Sequence, residues 1–431
     1  MKLFYFACLM NISIIGTGYV GLVSGACFAS LGHHVICVDL DTDKVNKINN
    51  LISPIYEKGL QKLLQDNADH IEATTSYEKA ITNSDITFIC VGTPSLENGD
   101  IDLSFVDQAT SAVAMQLKNK NSFHSIIIKS TVVPGTTKNH VIPLLEQVTG
   151  KTVGKDFGVG MNPEFLREGV AVDDFLHPDR VVNGFIDEQT GKLLHQLYQD
   201  FSCPIVETSV SIAEMIKYAS NCFLAAKISF INEIGNFCKH LGIDVYEVAD
   251  GMGLDKRIQR SFLNAGIGWG GSCFPKDTKA LRSWAKKQDI PCLMLDSVIR
   301  TNDHQPLQLI KILKKHIPNL KDKTIGVLGL AFKPETDDIR DTRSIPLVKA
   351  LLNEGAIVKA FDPQAMTHFK QLFPTITYCD TAKDVLDADA ILIATEWDEF
   401  KRLDYTNKLV IDGRRVLEVK KTAEKYEGVC W

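Results

Sequence analysis

Residues 12–39 decide the fold and read I-S-I-I-G-T-G-Y-V-G-L-V-S-G-A-C-F-A-S-L-G-H-H-V-I-C-V-D. The apolar run Ile12–Ile15 predicts a buried strand, and the residues from Leu22 to Leu31 follow the pattern of an apolar helix. Val35–Val38 predicts a second strand, which ends at Asp39. A glycine-rich turn joins the first strand to the helix. This order of strand, turn, helix and strand predicts an α/β fold with a doubly wound parallel sheet.

The turn itself, Gly16-Thr-Gly18-Tyr19-Val20-Gly21, has the spacing G-x-G-x-x-G of a dinucleotide site. Glycines allow the tight turn and the close approach of a pyrophosphate, and the helix N-terminus adds positive partial charge. Asp39, about twenty residues on, fits the acidic residue that binds ribose hydroxyls and favours NAD over its 2′-phosphorylated form. A glycine turn that arose by chance is the alternative. Lys44 follows and either contacts the adenosine end of NAD or lies in solvent.

The bulk composition bounds the class of protein. With 431 residues the chain is too long for one ordinary core, so we expect two or three domains. Its 45% hydrophobic and 23% charged content is that of a soluble globular protein. The 47 basic and 53 acidic residues give a net charge of −6, which argues against nucleic acid as the main partner.

Eleven cysteines are present without any C-x-x-C pair. The odd number and the wide spacing indicate reduced thiols in a cytoplasmic enzyme, with neither a disulfide framework nor a metal site. The N-terminus resembles a signal peptide, but its apolar run leads directly into the glycine turn without a cleavage site. We therefore expect the residues before Met10 to be a dispensable extension, and we expect no membrane span.

Polar residues follow three further predicted strands in the N-terminal region. Ile86–Val91 ends in Gly92-Thr93-Pro94, Ser125–Ile128 ends in Lys129-Ser130-Thr131, and Val153–Met161 ends in Asn162-Pro163-Glu164-Phe165-Leu166-Arg167-Glu168-Gly169. Ligands of doubly wound sheets bind at the carboxyl ends of strands. Glu164 and Glu168 are therefore candidates for base chemistry, and helix starts or caps are the alternative for these acids and hydroxyls.

The middle of the chain predicts a long helix. Ser211–Glu214 is a capping-box pattern, and helical periodicity continues to about Leu241. Lys217 and Asn221 share one face of this helix because they are four residues apart. A lysine buried in so apolar a helix needs a partner, although exposure to solvent is the alternative. We expect residues 201–314 to be helical and to form a dimer interface.

A second glycine-rich stretch, Asn264–Asp277, reads N-A-G-I-G-W-G-G-S-C-F-P-K-D. Cys273 ends the glycine loop, with Lys276 close enough in sequence to favour its thiolate, so Cys273 is a candidate nucleophile. A buried, inert cysteine is the alternative.

Strand patterns return at Thr324–Leu328, Ile357–Phe361, Ala390–Ala394 and Leu409–Ile411. They alternate with helical segments and predict a second α/β domain from about residue 315. Its first strand ends in Gly329–Arg340, which lacks the G-x-G-x-x-G spacing, so we expect no second cofactor there. We therefore divide the chain into an N-terminal domain (1–200), a central domain (201–314) and a C-terminal domain (315–431).

These motifs together resemble the nucleotide-sugar dehydrogenases, the UDP-glucose/GDP-mannose dehydrogenase family. The resemblance rests on Gly16–Gly21, Gly92–Pro94, Asn162–Gly169, Lys217-x-x-x-Asn221, Gly266–Asp277 and Gly329–Arg340. It implies two Rossmann-like domains joined by a long central helix, and oxidation of a sugar C6 alcohol to a carboxylate with two NAD per turnover. The motifs are most similar to the branch that acts on UDP-glucose; GDP-mannose and UDP-N-acetylmannosamine are the alternative substrates.

The resemblance also implies roles for residues. Cys273 would form a thiohemiacetal and then a thioester, Lys217 and Asn221 would stabilise the oxyanion, and Asp277 would pair with Lys217 and activate water. Glu164 would be the general base, with Thr131 positioning water. Further NAD contacts would come from Gly92, Thr93, Pro94, Ser130, Thr131, Glu168, Lys276 and Arg340. Further substrate contacts would come from Glu164, Phe165, Leu166, Lys217, Asn221, Arg257, Phe262, Asn264, Gly270, Phe332, Lys333 and Arg414 or Arg415.

Two points of the resemblance bear on assembly and on competing functions. Arg257 would reach the substrate of a neighbouring subunit, which implies a homodimer. At Asn264 some relatives carry a lysine, so a diphosphate contact there is weaker or differently made. A non-catalytic NAD-binding regulator would need no nucleophile, and a simple two-electron dehydrogenase would need no cysteine.

Overall fold

The computed structural model describes residues 9–431, which divide into two compact units. The first unit ends at Ala219, and the second runs from Ser220 to Trp431. The extension expected before Met10 lies almost entirely outside the described residues. Within residues 9–431, no helix is long and apolar enough to cross a membrane.

The first unit is built on one sheet with the strand order β3-β2-β1-β4-β5-β6-β7-β8. Its strands are β1 (Asn11–Ile15), β2 (His34–Val38), β3 (Ile71–Thr74), β4 (Ile86–Ile89), β5 (Ser125–Ile128), β6 (Gly158–Met161), β7 (Val181–Phe185) and β8 (Ile205–Thr208). All neighbouring pairs in this sheet are parallel except β6 with β7. Strand order reverses between β1 and β4, where doubly wound folds bind their ligands.

Helices cover this sheet. They are α1 (Tyr19–Ser30), α2 (Thr42–Asn49), α3 (Leu60–Asp66), α4 (Tyr77–Thr82), α5 (Ser104–Leu117), α6 (Ile142–Thr149), α7 (Ala171–Leu176) and α8 (Glu188–Tyr198). A 3₁₀ turn (Ala68–His70) precedes β3, and a π-helical turn (Thr137–Val141) precedes α6. Helix α1 consists mostly of small and apolar residues, and most of them are buried. Its Phe28 packs against Phe88 of β4 and Phe175 of α7.

Two expectations differ from the structure in this region. The strand predicted over Val153–Met161 is limited to Gly158–Met161, because residues 152–157 form a turn in which the N–H of Gly154 bonds the carbonyl of Phe157 at 2.7 Å. The stretch expected to be helical from residue 201 contains strand β8, which pairs with β7. The long central helix, α9, then runs from Val210 to Leu241 over 32 residues.

The second unit repeats the architecture of the first, with the strand order β11-β10-β9-β12-β13-β14 and parallel pairs throughout. Its strands are β9 (Thr324–Leu328), β10 (Ile357–Phe361), β11 (Thr377–Tyr378), β12 (Ala390–Ile393), β13 (Leu409–Asp412) and β14 (Lys425–Gly428). Its helices after α9 are α10 (Val245–Gly253), α11 (Phe274–Lys287), α12 (Leu293–His304), α13 (Leu307–His316), α14 (Ser344–Asn353), α15 (Met366–Leu372) and α16 (Ala382–Val385). The 3₁₀ turns Asp398–Arg402 and Leu417–Lys421 complete it.

Each unit has its own apolar core. In the first, Ile12, Ile14 and Phe88 of the sheet pack with Leu22 and Phe28 of α1. In the second, the apolar side chains of β9, β10, β12 and β13 pack with those of α13 and α14. The expectation of two doubly wound domains and a long central helix is confirmed.

Candidate active site

The glycines of the first loop have different spatial roles. Gly16 has a φ of +93°, which a residue with a side chain rarely adopts. A Cβ at Gly21 would lie 1.9 Å from the carbonyl oxygen of Gly16, so that glycine lets α1 approach the loop. A Cβ at Gly18 would have no heavy atom within 4 Å. Gly18 therefore faces open space at the N-terminus of α1, where a pyrophosphate would approach.

Asp39, at the end of β2, lies against the same loop. Its Oδ2 accepts hydrogen bonds from the backbone N–H of Thr17 at 2.8 Å and from the Thr17 hydroxyl at 2.5 Å. Burial acts to raise the pKa of Asp39, but the bonds from Thr17 and Asp41 and the nearby charge of Lys44 outweigh it and lower the pKa. The Nζ of Lys44 is 3.8 Å from Oδ2. An ionised acceptor at this point fits the ribose of a dinucleotide.

The ends of β4 and β5 adjoin each other through side-chain hydroxyls. Ser130 donates to the carbonyl of Val91 at 2.7 Å, and Thr93 donates to the carbonyl of Thr131 at 2.9 Å. These hydroxyls therefore hold the two strand ends together. A Cβ at Gly92 would meet nothing within 4 Å, so the backbone beside them is open.

Buried hydrogen bonds fix the residues that follow β6. Asn162 accepts hydrogen bonds at its Oδ1 from Lys129 at 2.7 Å and from the Tyr198 hydroxyl at 2.8 Å. Its amide donates to the carbonyl of Val182 at 3.0 Å. The start of the loop from Asn162 to Gly169 is therefore fixed to β5, β7 and α8.

Glu164, in that loop, pairs with Lys217 of α9. The Lys217 ammonium is 2.8 Å from Oε1 of Glu164, and the two side chains are 3% and 7% exposed. Burial acts to raise the pKa of Glu164, but the charge and hydrogen bond of Lys217, the N–H of Leu166 and the charge of Lys129 together lower it. Lys217 is thus buried with a partner, as its place in an apolar helix predicts.

Phe165 fills the space next to this pair. Its ring lies 3.9 Å from the guanidinium carbon of Arg180 and 5.4 Å from the Nζ of Lys217. Both cations are within the range of a cation–π contact. Phe165 therefore helps to hold Lys217 in place.

Lys129 follows a predicted strand but was not among the site residues predicted from the sequence. Its side chain is buried, and burial lowers its pKa to about 8. The Cys90 thiol, Glu164 and Lys217 are the other titratable groups that influence it. The available signal was a lysine directly after an apolar strand, at the edge where ligands bind.

The end of the 162–169 loop forms hydrogen bonds with α7 and contacts Tyr19 of the glycine turn. Arg167 forms a bidentate pair with Asp174, with its Nη2 2.6 Å from Oδ1. The N–H of Gly169 donates to Glu57 at 2.7 Å and lies 3.0 Å from the hydroxyl of Tyr19. The charge of Glu168 acts on Tyr19 as well. Glu57 was not among the residues predicted from the sequence.

In the second unit, Cys273 stands at the N-cap of α11, directly after the glycine loop. Its Sγ is 3.5 Å from the hydroxyl of Ser272, and its side chain is partly exposed. Gly268 and Gly271 have φ values of +103° and +86°, which let the loop turn before the cysteine. A helix N-terminus favours a thiolate over a thiol, and partial exposure allows a substrate to reach it.

Asp277 lies one turn into α11 and is buried. Its Oδ2 accepts from the amide of Asn221 at 2.6 Å, and its Oδ1 is 2.6 Å from the Nζ of Lys276. The structure thus brings together the predicted residues Asn221, Lys276 and Asp277. Asn221 is one turn further along α9 than Lys217.

The glycine loop packs on the segment after β9. The N–H of Gly271 bonds the carbonyl of Arg340 at 2.9 Å. A Cβ at Gly270 would lie 2.4 Å from the carbonyl oxygen of Asp341, and one at Gly271 would lie 2.7 Å from the ring of Phe332. These two glycines are therefore required for close packing. The Arg340 guanidinium itself bonds Asp338 at 2.7 Å and is largely exposed.

Arg414 joins three segments of the second unit. Its guanidinium donates to the carbonyl of Ala394 at 2.9 Å, and longer contacts of 3.4 Å reach the carbonyls of Gly268 and Phe332. Arg415 instead bonds Asp244 at 2.7 Å. Of this arginine pair, Arg414 is the one that lies against the cysteine loop.

The remaining predicted substrate residues occupy separate places in the second unit. Arg257 is highly exposed and bonds Asp255 at 2.6 Å. Phe262 has a φ of +63°, and its ring lies 6.4 Å from that of Phe274. The Oδ1 of Asn264 accepts from Arg260 at 2.8 Å, and the Nζ of Lys333 lies 5.5 Å from the ring of Phe332.

In the second unit, Asp362 stands at the position that corresponds to Asp39 of the first unit. Asp362 follows β10 as Asp39 follows β2, but it is fully buried. Its Oδ2 accepts from the N–H groups of Leu330 and Ala331 at 2.7 and 3.0 Å, and from the indole of Trp397 at 3.1 Å. Because Asp362 is fully buried, whereas the Asp39 side chain is 13% exposed, Asp362 is not available to the ribose hydroxyls of a ligand in the way that Asp39 is.

Family models match the chain in three consecutive parts. They are the NAD binding domain (residues 10–202), the central domain (211–304) and the UDP binding domain (326–419) of the UDP-glucose/GDP-mannose dehydrogenase family. The chain belongs to this family. The resemblance inferred from the motifs and the prediction of NAD as cofactor are confirmed.

Curated relatives and solved structures agree with the family. The chain is 46% identical to a UDP-glucose 6-dehydrogenase, AglM, of Haloferax volcanii, over 95% of this chain and 97% of that one. It is 38% identical to a GDP-mannose 6-dehydrogenase of Pseudomonas aeruginosa, over 98% and 100%. The structure of a UDP-glucose dehydrogenase from Pyrobaculum islandicum superposes with a TM-score of 0.95 at 39% identity and covers both chains fully.

The family and the geometry define what kind of enzyme this is. It is an NAD-dependent oxidoreductase of the nucleotide-sugar dehydrogenases. The open face at Gly18 and the ionised acceptor at Asp39 fit the pyrophosphate and ribose of NAD. Among the described residues, no group of three or more His, Cys, Asp or Glu side chains could hold a metal ion.

Proposed function

We propose that this enzyme oxidises the C6 alcohol of UDP-glucose to the carboxylate of UDP-glucuronate. The overall reaction consumes one alcohol, one water and two NAD⁺, and it yields one carboxylate, two NADH and three protons. Relatives of 41–46% identity over nearly the whole chain, named as UDP-glucose 6-dehydrogenases, support UDP-glucose as the substrate. GDP-mannose is the alternative, because the GDP-mannose relative is 38% identical over the same length.

The observation that carries the chemistry is Cys273 at the N-terminus of α11. NAD, when bound, accepts one hydride in each of the two oxidations. The thiolate of Cys273 adds to the aldehyde carbon and forms a thiohemiacetal, so the aldehyde is retained. Oxidation of that adduct leaves a thioester on Cys273. Water then attacks the thioester carbon, the C–S bond breaks, and the thiol and carboxylate are released.

Charged and amide groups around α9 support these steps. We assign to Lys217 the stabilisation of the alkoxide and of the tetrahedral oxyanion, because a buried cation is effective in a low dielectric. Glu164, whose pKa is lowered, is ionised at neutral pH and serves as the base that takes a proton from water. Asn221 and Asp277, bonded at 2.6 Å, hold each other's orientation, and Asp277 helps to position the water. We also assign to Thr131 the positioning of this water.

The proposed binding contacts form two sets, one for NAD and one for the nucleotide sugar. We propose that NAD contacts Gly16, Gly18, Tyr19, Val20, Gly21, Asp39, Lys44, Gly92, Thr93, Pro94, Ser130, Thr131, Glu168, Lys276 and Arg340. We propose that the nucleotide sugar contacts Glu164, Phe165, Leu166, Lys217, Asn221, Arg257, Phe262, Asn264, Gly270, Phe332, Lys333 and Arg414. The division of the chain into three domains at residues 200 and 314 stays a proposal.

We infer a homodimer that uses α9. Phe223, Phe230 and Phe237 are spaced seven residues apart and are 66%, 48% and 58% exposed. Seven residues are close to two helical turns, so the three rings form one stripe. Such an exposed aromatic stripe is typical of a protein–protein interface.

The free thiols at the ten described cysteines support a cytoplasmic location.

The experiment that tests the proposal counts NADH per sugar consumed. Purified enzyme is given UDP-glucose, GDP-mannose or UDP-N-acetylmannosamine. We expect two NADH per UDP-glucose and little turnover of the others. Two NADH with another sugar would show that this sugar is the substrate. One NADH per sugar would contradict the thioester mechanism. Cys273→Ala, with NAD binding retained, is the control for the nucleophile: the first oxidation does not use the thiol, so this variant should form no carboxylate and at most one NADH per sugar.

A further inference from the structure

A buried carboxylate outside the assigned machinery links two of its loops. Glu57 lies between α2 and α3, and its side chain is 6% exposed. A carboxylate this deeply buried requires hydrogen-bond partners. Its sequence neighbours, S-P-I-Y-E-K-G, predict only a turn.

Glu57 has donors on both of its oxygens. Oε2 accepts from the hydroxyl of Tyr19 and from the N–H of Gly169, the latter at 2.7 Å. Oε1 accepts from the N–H of Ala171 at 2.9 Å. Burial and the neighbouring carboxylate raise the pKa of Tyr19, so its hydroxyl keeps the proton that it donates.

The donors come from two different parts of the site. Tyr19 is the first residue of α1 and directly follows Gly18, the glycine that faces open space. Gly169 ends the loop that carries Glu164, and Ala171 begins α7. One carboxylate therefore joins the dinucleotide turn to the loop of the general base.

We propose that Glu57 is a positioning residue that acts through Tyr19 to fix the dinucleotide turn against the end of the 162–169 loop. NAD affinity then depends on Glu57, although this side chain is not assigned to touch NAD. The physical reason is preorganisation, since a turn already held in its bound shape loses less conformational entropy when the ligand binds. A general stabilising role would lower the melting temperature without a selective effect on NAD.

Glu57→Gln and Tyr19→Phe remove different hydrogen bonds of the Glu57 side chain. A glutamine places an amide N–H against groups that are themselves donors, so at least one bond is lost. Tyr19→Phe removes only the hydroxyl and leaves the bonds of Glu57 to Gly169 and Ala171. Asp187→Ala is the matched control, because Asp187 accepts from the N–H of Thr190 at 2.8 Å at the start of α8, away from both loops.

The measurement is calorimetric titration of each full-length variant with NAD alone and with UDP alone. We expect Glu57→Gln and Tyr19→Phe to raise the Kd for NAD about tenfold, as loss of a hydrogen bond to a charged group does, and to leave the Kd for UDP within about twofold. Asp187→Ala should lower the melting temperature without changing either Kd. An unchanged Kd for NAD in Glu57→Gln, whose side chain is not assigned to touch NAD, or an equal rise in Asp187→Ala, would overturn the proposal. No sugar is oxidised in this test, so its result is independent of the proposed reaction.

Discussion

The ammonium of Lys217 lies 2.8 Å from the carboxylate of Glu164, with both side chains almost entirely buried. Removing two charges from water costs several kcal/mol for each ion, and their attraction repays this only with good geometry. An apolar pair would fill the same space without this cost. A buried ion pair between two assigned reactive residues is therefore better explained by chemistry than by stability.

Removal of Lys217 should affect both stability and turnover. In Lys217→Met, Glu164 is left as an uncompensated buried charge, which should lower the free energy of unfolding by about 3–5 kcal/mol. If Lys217 stabilises the oxyanion, as we propose, loss of this cation should lower kcat by a factor of about 10²–10³. Urea denaturation and steady-state kinetics measure the two effects.

The double variant Glu164→Gln/Lys217→Met separates them. Neutralising both partners should restore most of the stability while activity stays lost. Lys79→Met is a surface control, because Lys79 and Glu72 are 2.6 Å apart but exposed, and it should change stability by less than about 1 kcal/mol. A single variant as stable as the wild type would contradict the buried pairing.

Two glycines of the dinucleotide turn should respond in opposite ways to alanine. Gly18→Ala adds a methyl group where nothing lies within 4 Å and where φ is −69°, so folding should be almost unaffected. The methyl group would occupy the open face, and the Kd for NAD should rise at least about tenfold. Gly21→Ala should instead destabilise the first unit, because its Cβ would lie 1.9 Å from the oxygen of Gly16.

Melting temperature and NAD titration distinguish the two variants. Gly18→Ala should melt like the wild type and bind NAD weakly. Gly21→Ala should melt at a lower temperature. If Gly18→Ala bound NAD normally, the pyrophosphate would not approach at that residue.

Features that depend on local pattern could be predicted from the sequence. The turn Gly16–Gly21 and the acidic residue Asp39 have fixed spacings because backbone geometry requires them, and the structure places them together. Helix α9 was predicted to within one residue at its N-terminus because its periodicity is local. The capping box predicted at Ser211–Glu214 is wrong, because Ser211 lies inside the helix and the Glu214 carboxylate accepts from the N–H groups of Gly135 and Thr137. Cys273 was singled out as a candidate nucleophile because a glycine loop precedes it and Lys276 follows it closely.

Features set by long-range contacts could not be predicted. Lys129 and Glu57 are charged residues in short polar segments, a pattern shared with surface residues, and only the packing of distant elements buries them. Strand β6 was overextended because Val153 and Phe157 are apolar, although the residues between them form a turn. Asn162 gave no sign that it would bond Lys129, since their contact joins neighbouring strand ends.

A charge in the aromatic stripe of α9 should disrupt the proposed dimer. Phe230→Asp would place a carboxylate at the centre of the stripe, where it would be desolvated on association. We expect the mass measured by light scattering to fall from that of a dimer to that of a monomer. Phe105→Asp is the control, because Phe105 lies on α5 and is 49% exposed, close to the 48% of Phe230. A dimer that persists in Phe230→Asp, or dissociates equally in Phe105→Asp, would contradict this interface.

Lys129 should make stability rise with pH in the alkaline range. Burial lowers its pKa to about 8 in the folded protein, from 10.5 when exposed, and Glu164, Lys217 and the Cys90 thiol are the titratable groups that influence it. Between these two values the unfolded chain holds a proton that the folded protein has lost, so the free energy of unfolding increases with pH by about 3 kcal/mol in total. Lys129→Met should lack this increase. Urea denaturation of both proteins at about pH 7 and about pH 10 measures the difference, and parallel changes in the two proteins would show that Lys129 keeps an ordinary pKa.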